Sequence, residues 1–301
     1  MTRGARNRWI KHPGNPVLGG GYGTCFDLSM LRLDGRYRMY FSWRPRKAIA
    51  VTESADGFTW SKPTIVLQGS GVNTWDSDIN RPSVVLRDGR YQMWYTGQDT
   101  SGTERGSRIG YATSPDGLSW KPGERPVLEA AGGWEGGNLM CPHVLWDDAE
   151  SVYKMWYSGG ERYEPDAIGY ATSADGVVWE RWAANPVFVP DRTHPWEAYK
   201  VTAGQVIKTK SGYLIFYIGF QDIDTARIGV ARSPNGIDGW DRSAANPIIS
   251  PDPGAWDGEA CYKPFAMRTE RGWMLWYNGR SGHLEQIGAA MLEGDDLGFD
   301  D

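Results

Sequence analysis

One pattern is written five times along this chain, at intervals of about 60 residues. A repeat of that period restricts the fold before any single residue is weighed. The fullest copy is Tyr153–Trp179, YKMWYSGGERYEPDAIGYATSADGVVW. Tyr153–Ser158 and Ile168–Ser173 are aromatic and β-branched runs of strand length, joined by a polar loop. Ala174-Asp175-Gly176 reads as a tight turn, because Asp tolerates left-handed backbone and Gly has no Cβ to obstruct it. Val177–Trp179 then opens a further strand. The other copies are Tyr37–Trp60, Tyr91–Trp120, Tyr213–Trp240 and Trp273–Asp296.

Each copy is preceded by another apolar run: Leu28–Leu33, Ser83–Leu86, Val144–Trp146, Gln205–Lys208 and Phe265–Arg268. That makes four strands per repeat, alternating by two and cut every few residues by Gly or Pro, which excludes helices. A four-stranded antiparallel unit repeated five times predicts an all-β, five-bladed β-propeller, one domain spanning residues 1–301. The ends are complementary. Trp9–Leu18 (WIKHPGNPVL) matches Trp120–Leu128 and Trp179–Phe188, and is therefore a last strand without its first three. The C-terminal copy lacks a Trp strand after Glu293. The N-terminal segment is expected to complete the last blade and hide two strand edges.

Composition suits this fold and excludes others. The chain has 16 Trp, 15 Tyr and 39 Gly, matching aromatic strands and glycine turns. A net charge of −5 with both signs interspersed leaves no basic footprint for nucleic acid. No apolar run approaches the roughly 20 residues needed to cross a bilayer. Cys25, Cys141 and Cys261 are an odd count, which argues against a disulfide framework and predicts buried thiols. With no apolar segment near the N-terminus to act as a signal, the expected compartment is the cytoplasm, or outside the cell if a leader precedes this sequence.

Loop lengths choose the working face. The Asp-Gly-Arg and Ser-x-Asp-Gly turns are minimal. The segments Gly97–Ser107, Gly159–Asp166, Phe220–Ala226 and Gly279–Glu285 are long and polar, as are connectors around 69–77, 129–137, 190–199 and 251–259. Long loops carry function, so a pocket is expected on their side, lined by residues that begin each innermost strand. Every connector but the first holds Trp then an acid: Trp75-Asp76, Trp134-Glu135, Trp196-Glu197 and Trp256-Asp257. A device used four times reads first as scaffold. Catalytic groups need unlike environments, so the stronger candidates break the repeat. The positions preceding Leu28, Pro82, Pro142, Gly204 and Pro264 read Asp27, Arg81, Cys141, Ala203 and Lys263, with one acid among them. Asp78, Asn138, His143, Tyr199, Lys200, Glu259 and Tyr262 also depart from the pattern nearby.

Asp27, the Asn-Pro-Val-Leu connectors, the Asp-Gly-x-Tyr-x-Met-x-Tyr arms and the Ser-x-Asp-Gly-x-x-Trp turns carry a resemblance covering nearly the whole chain. The sequence resembles the five-bladed propeller glycosidases, a superfamily of arabinanases and β-xylosidases, invertases and levanases, and β-mannoside phosphorylases. The resemblance implies that Asp27 is the base or nucleophile. Two departures stand out. Where arabinanase-like families place a second Asp, this chain has Cys141-Pro142-His143; where they place a Glu, it reads Val201-Thr202-Ala203-Gly204. Asp78-Ile79-Asn80-Arg81-Pro82 loosely echoes an acidic stretch of the phosphorylases.

Glycoside cleavage needs one carboxylic acid to protonate the leaving oxygen and one carboxylate to attack or to activate water. The expectation is a hydrolase of a furanoside or short oligosaccharide, by an inverting two-carboxylate mechanism. Asp27 is the base, Asp78 then Glu259 are acids, and Glu197 and Glu135 stand in reserve. Arg81, His143, Lys200 and Lys263 are expected to bind hydroxyls or anions. Tyr199 and Trp75 would stack on sugar, and Asn138 would hydrogen-bond it. The alternatives are a phosphorylase, in which Arg81, Lys263 and His143 hold phosphate, and a non-catalytic carbohydrate-binding propeller. No cofactor is called for. His12, His143, His194 and His283 lack metal-ligand spacing, and the Asp and Asn groups near the axis are of the type that takes calcium without requiring it.

Overall fold

The computed structural model describes residues 8–72, 74–99, 106–161 and 165–299. Almost all regular structure in them is β. The helical segments among the described residues are single 3₁₀ turns, at Gly20–Tyr22, Arg44–Arg46 and Gly133–Glu135. No helix among them is long and apolar enough to cross a membrane.

The strands follow the repeats. The first strands are Cys25–Leu33, Asp78–Arg87, Asn138–Asp147, Lys200–Thr209 and Ala260–Thr269. Each pairs antiparallel with a second strand: Arg36–Trp43, Arg90–Gln98, Val152–Gly160, Gly212–Phe220 and Gly272–Ser281. Third strands follow at Ala48–Ser54, Ser107–Ser114, Ala167–Ser173, Ala226–Ser233 and Leu284–Glu293. Fourth strands are Thr64–Gln68 and the two-residue pieces Lys121–Pro122, Glu180–Arg181 and Asp241–Arg242. Three sheets have four strands. A fourth sheet of eight consists of the second and third repeats, joined by one parallel pair, Asn138 with Ser107.

The fifth repeat takes its fourth strand from the other end of the chain. Ile10 and Lys11 pair with Met291 and Ala290. Asn15 bonds both backbone groups of Ala289, as Asn185 does with Tyr170 and Asn246 with Val230. The match between Trp9–Leu18 and the later Trp segments is thus a structural equivalence.

Most of the core lies between neighbouring sheets. Phe216, Ile228 and Val230 of the fourth repeat meet Leu275, Tyr277 and Ala290 of the fifth. Met39, Phe41 and Ala50 of the first meet Met274, Trp276 and Ala289 of the fifth. The short turns latch across the same seams. Trp94 Nε1 donates to Gly176 O, Trp156 Nε1 to Gly236 O and Trp276 Nε1 to Gly57 O, each at 2.8 Å.

The Trp–acid connectors form one brace, repeated. The indoles of Trp134, Trp196 and Trp256 lie so close over Gly169, Gly229 and Gly288 that a Cβ on any of these glycines would sit 2.4–2.5 Å from a ring carbon. The following acid is buried against a tyrosine of the second strand and a cation of the fourth. Glu135 accepts from Tyr157 Oη at 2.6 Å and pairs with Arg181 at 2.8 Å. Asp257 accepts from Tyr277 Oη at 2.9 Å and pairs with Lys11 at 2.6 Å. Glu197 pairs with Arg242 at 2.8 Å, and burial pushes its carboxyl pKa up.

Candidate active site

Asp27, Arg81, Cys141, Ala203 and Lys263 occupy one geometry. All five have φ between 42° and 56°, in the left-handed region. Each lies where the register between first and second strand shifts, between Phe26/Ser29, Asn80/Ser83, Met140/His143, Thr202/Gln205 and Tyr262/Phe265. These are β-bulges, which break the ladder and re-aim a side chain. Left-handed backbone on a non-glycine residue is strained, and persists only where surroundings enforce it. Part of that enforcement is visible. The bulged N–H donates to a side chain on the preceding repeat's second strand: Arg81 to Ser42, Cys141 to Thr96, Ala203 to Ser158 and Asp27 to Asn278, at 2.8–3.1 Å. In the remaining repeat the equivalent residue is Ile218, which offers no acceptor.

Four of the five bulged residues, all but Lys263, line a cavity of about 190 Å³. Its wall also includes Phe26, Arg44, Asp224, Asn278, Arg280 and Glu285. Asp27 is 5% exposed and its carboxylate is held from both sides. Asn278 Nδ2 donates to Oδ1 at 2.6 Å, and Arg81 Nε lies 3.0 Å from Oδ2. Arg81 also donates to Asn80 Oδ1 at 2.7 Å. Asn278 therefore does two jobs with one amide: its oxygen takes the Asp27 N–H while its nitrogen fixes the carboxylate. The serines and threonine at the equivalent positions do only the first within these pairs. Arg44, on the strand-connecting turn, stacks its guanidinium 4.4 Å from the Phe26 ring.

The other sequence candidates fall elsewhere. Asp78 is buried beside Asn80, whose amide also reaches Gln98, and is not part of the cavity wall. Glu259 is exposed and bonds Arg280 and the N–H of Gly282. Glu135 and Glu197 sit in the brace, each engaged by a basic residue of the fourth strand, and neither is part of the cavity wall. Trp75 stacks on Tyr95 in the same brace, at 6.1 Å between ring centres. His143 Nε2 lies 2.8 Å from Val206 O of the next repeat, and burial holds its pKa down at about 4, helped by the charge of Lys263. Ser29, Ser83 and Gln205 make the corresponding inter-repeat bonds, so His143 is one latch of a series. Lys200 is buried with its ammonium 4.4 Å from the Phe220 ring and 5.8 Å from that of Tyr199. Asn138 donates to Glu161 O at 3.0 Å, and Lys263 is buried with 6% of its surface exposed.

Two acids of the wall, Asp224 and Glu285, escape the repeat comparison. The segment Gly279–Glu285 reads as a long loop because it is polar and glycine-containing. It is instead an extended hairpin, with Arg280 opposite Glu285 and Ser281 opposite Leu284 around Gly282-His283. Glu285 thus projects from a strand, near where the neighbouring Asn278 holds Asp27. Of the expected long loops, residues 100–105 and 162–164 lie outside the described residues.

Residues 13–292 match the family model described as glycosyl hydrolases family 43. An uncharacterized protein of Mycobacterium tuberculosis is 27% identical over 191 residues, which are 56% of this chain and 60% of that protein. The chain thus matches little more than half of that relative's length. A 1,2-β-oligomannan phosphorylase of a Thermoanaerobacter species is 24% identical over 240 residues, 77% of this chain and 75% of that enzyme. Among solved structures, a thermostable family-43 glycoside hydrolase superposes with a TM-score of 0.74 at 17% identity, over 95% of this chain and 94% of the other. That likeness is one of fold: the two chains share one all-β architecture over nearly their whole lengths.

Proposed function

The chain belongs to glycosyl hydrolases family 43, and from that membership we propose that it is a glycoside hydrolase cleaving a furanoside or short oligosaccharide, built as one closed five-bladed propeller. Two bonds support closure, since the fifth repeat holds the first as other repeats hold their successors: Asn278 with Asp27, and Trp276 with Gly57.

One observation carries the catalytic reading. Of five side chains aimed by equivalent bulges, Asp27 is the one carboxylate, and it is clamped by Asn278 and Arg81 at the wall of the cavity. A buried, oriented carboxylate suits a base that takes a proton from water as that water attacks the anomeric carbon. The bond from that carbon to the leaving oxygen breaks, and a second carboxylic acid protonates the oxygen, so the product anomer is inverted. We assign that acid to Glu285. It stands on a strand at the cavity wall, whereas Asp224 is on a loop with its side chain 74% exposed, and rigid elements hold catalytic geometry better than loops. Acid–base chemistry of this kind calls for no cofactor. The buried thiols of Cys25, Cys141 and Cys261 suit a reducing compartment, the cytoplasm.

The test is a pair of variants on an aryl glycoside that the wild type cleaves. Asp27→Asn lowers turnover by about 10² to 10⁴. Glu285→Gln loses activity on poor leaving groups and keeps most of it on good ones, which depart unprotonated. Wild-type activity in Asp27→Asn overturns the assignment. Phosphorolysis is the second reading, favoured by the guanidiniums of Arg44, Arg81 and Arg280 around one cavity and by the likeness to a phosphorylase. Turnover that needs inorganic phosphate and releases a sugar phosphate selects it.

A further inference from the structure

The cavity beside Asp27 is too small for an oligosaccharide. Its volume of about 190 Å³ is below the roughly 300 Å³ at which pockets begin to hold drug-sized ligands, and suits a single sugar ring. A chain whose end ring sits there must leave through an opening. A cleft of about 660 Å³ adjoins the cavity and shares two residues of its wall, Asp224 and Arg280. We propose that this cleft is a second sugar-binding subsite, which takes the leaving-group side of an oligosaccharide whose terminal ring occupies the cavity. The proposal rests on the glycosidase reading and adds where the remainder of the substrate lies.

Arg280 is the post between the two compartments. Its Nη2 donates to Asp224 O at 3.1 Å, its Nε lies 3.4 Å from Glu259 Oε2, and its guanidinium lies over the Tyr262 ring at 5.8 Å. Glu259 Oε1 in turn accepts from Gly282 N at 2.9 Å. These bonds tie the loop after Phe220, the connector before Ala260 and the Gly282-His283 turn into one wall. Glu259 is accordingly a positioning residue for Arg280 rather than a proton donor to the scissile bond.

The chemistry beyond the post fits sugar hydroxyls. Arg227, Thr225 and His283 line the cleft with Glu259 and Arg280, giving several donors and acceptors. Pairs of hydroxyls on adjacent ring carbons match a guanidinium or carboxylate that bonds through two atoms.

The experiment compares a nitrophenyl glycoside with di-, tri- and tetrasaccharides of the same sugar, drawn from arabinan-, xylan- and β-1,2-mannan-derived series. In the wild type, kcat/KM rises with chain length beyond the disaccharide. In Arg227→Ala/His283→Ala, the ratio of kcat/KM for the tetrasaccharide to that for the nitrophenyl glycoside falls about ten- to hundredfold, since a hydrogen bond to a charged group is lost. The loss appears in KM. In Glu259→Gln, KM for the tetrasaccharide rises while the pH dependence of kcat keeps its acid limb. A wild type indifferent to chain length, or a double variant with an unchanged ratio, overturns the subsite while leaving the hydrolase intact. Removal of the acid limb in Glu259→Gln returns that residue to the proton-donor role and refutes its positioning role. No turnover on any substrate, with no binding of the tetrasaccharides to Asp27→Asn, rejects the glycosidase reading itself and the subsite with it.

Discussion

Asn278 allows scaffold and chemistry to be separated in one side chain. Its oxygen accepts the Asp27 N–H at 3.0 Å and its nitrogen donates to Asp27 Oδ1 at 2.6 Å. Asn278→Ala removes both bonds. An unpaired buried N–H costs about 1–3 kcal/mol, and a hydrogen bond to a charged group contributes about 1.5–3 kcal/mol. Asn278→Ser removes only the second, because serines at the same place, Ser42 and Ser158, receive the next bulged N–H at 2.8 Å. Serine is also too short to reach the carboxylate as the amide does. The alanine variant is therefore expected to be less stable than the serine variant by about 1–3 kcal/mol, a difference of several degrees in Tm for a chain of this size. Both variants lose about tenfold to a hundredfold in kcat, because a base displaced by a fraction of an ångström no longer meets its water. Thermal unfolding and steady-state kinetics on the same preparations read the two effects. Equal Tm values for serine and alanine would refute the acceptor role. Wild-type kcat in Asn278→Ser would show that the clamp on the carboxylate is irrelevant to turnover.

Three further outcomes are expected. Gly169→Ala places a methyl carbon about 2.5 Å from the Trp134 ring and lowers stability by about 1–3 kcal/mol, the range for overpacking; an unchanged denaturation midpoint would mean that the indole is not held as described. Lys11→Met leaves the fully buried Asp257 without its cation and costs about 3–5 kcal/mol, as when one partner of a buried pair is removed; chemical denaturation measures it. His143 has a folded-state pKa of about 4 against an ordinary 6.5, so the unfolded chain takes up the proton first. The stability that the neutral imidazole contributes is complete above about pH 6.5 and is lost as the pH falls toward 4, up to about 3 kcal/mol. His143→Gln copies Gln205 at the equivalent position, and the difference in Tm between variant and wild type should shift in its favour from pH 7 to pH 4.5; a constant difference would exclude His143 as a source of acid sensitivity.

Much of the fold could be read because the chain supplies its own alignment. Five copies of one pattern locate strands, short turns and the N-terminal segment that pairs with the C-terminal one, and the pre-strand comparison finds the bulged positions without coordinates. The candidate site was only half legible. Asp27 and Arg81 break the repeat at a shared position, and the structure brings them together. Glu285 and Asp224 lie where repeats differ in length, so no column of the alignment contains them. Whether polar residues such as Ser281–His283 form a loop or a two-residue turn depends on pairing across the hairpin, which local composition does not report. His143 shows the opposite error. It differs from its equivalents in type but does their work, bonding the next repeat as Ser29, Ser83 and Gln205 do.

The first repeat departs from the others in more than its acid, and the departures belong together. It has Phe41 where the other second strands have Tyr95, Tyr157, Tyr217 and Tyr277, and Trp43 where they have Gly97, Gly159, Gly219 and Gly279. Its connector, Gly19–Thr24, holds neither Trp nor acid. A buried acid without the tyrosine, or a tyrosine hydroxyl without the acid, would leave a polar group unpaired at a cost of about 1–3 kcal/mol, so the members of the brace are expected to vanish as a set. With the indole carried by the strand itself, no glycine is needed beneath it, and Trp43 Nε1 donates to Tyr22 O of the same connector at 2.8 Å. The repeat that presents Asp27 is therefore the one in which the strand holds the connector through its own indole, in place of a Trp and acid supplied by the connector. A residue that breaks a repeat alone points to chemistry; residues that break it in concert, as Phe41, Trp43 and the missing connector acid do, point to a change of support.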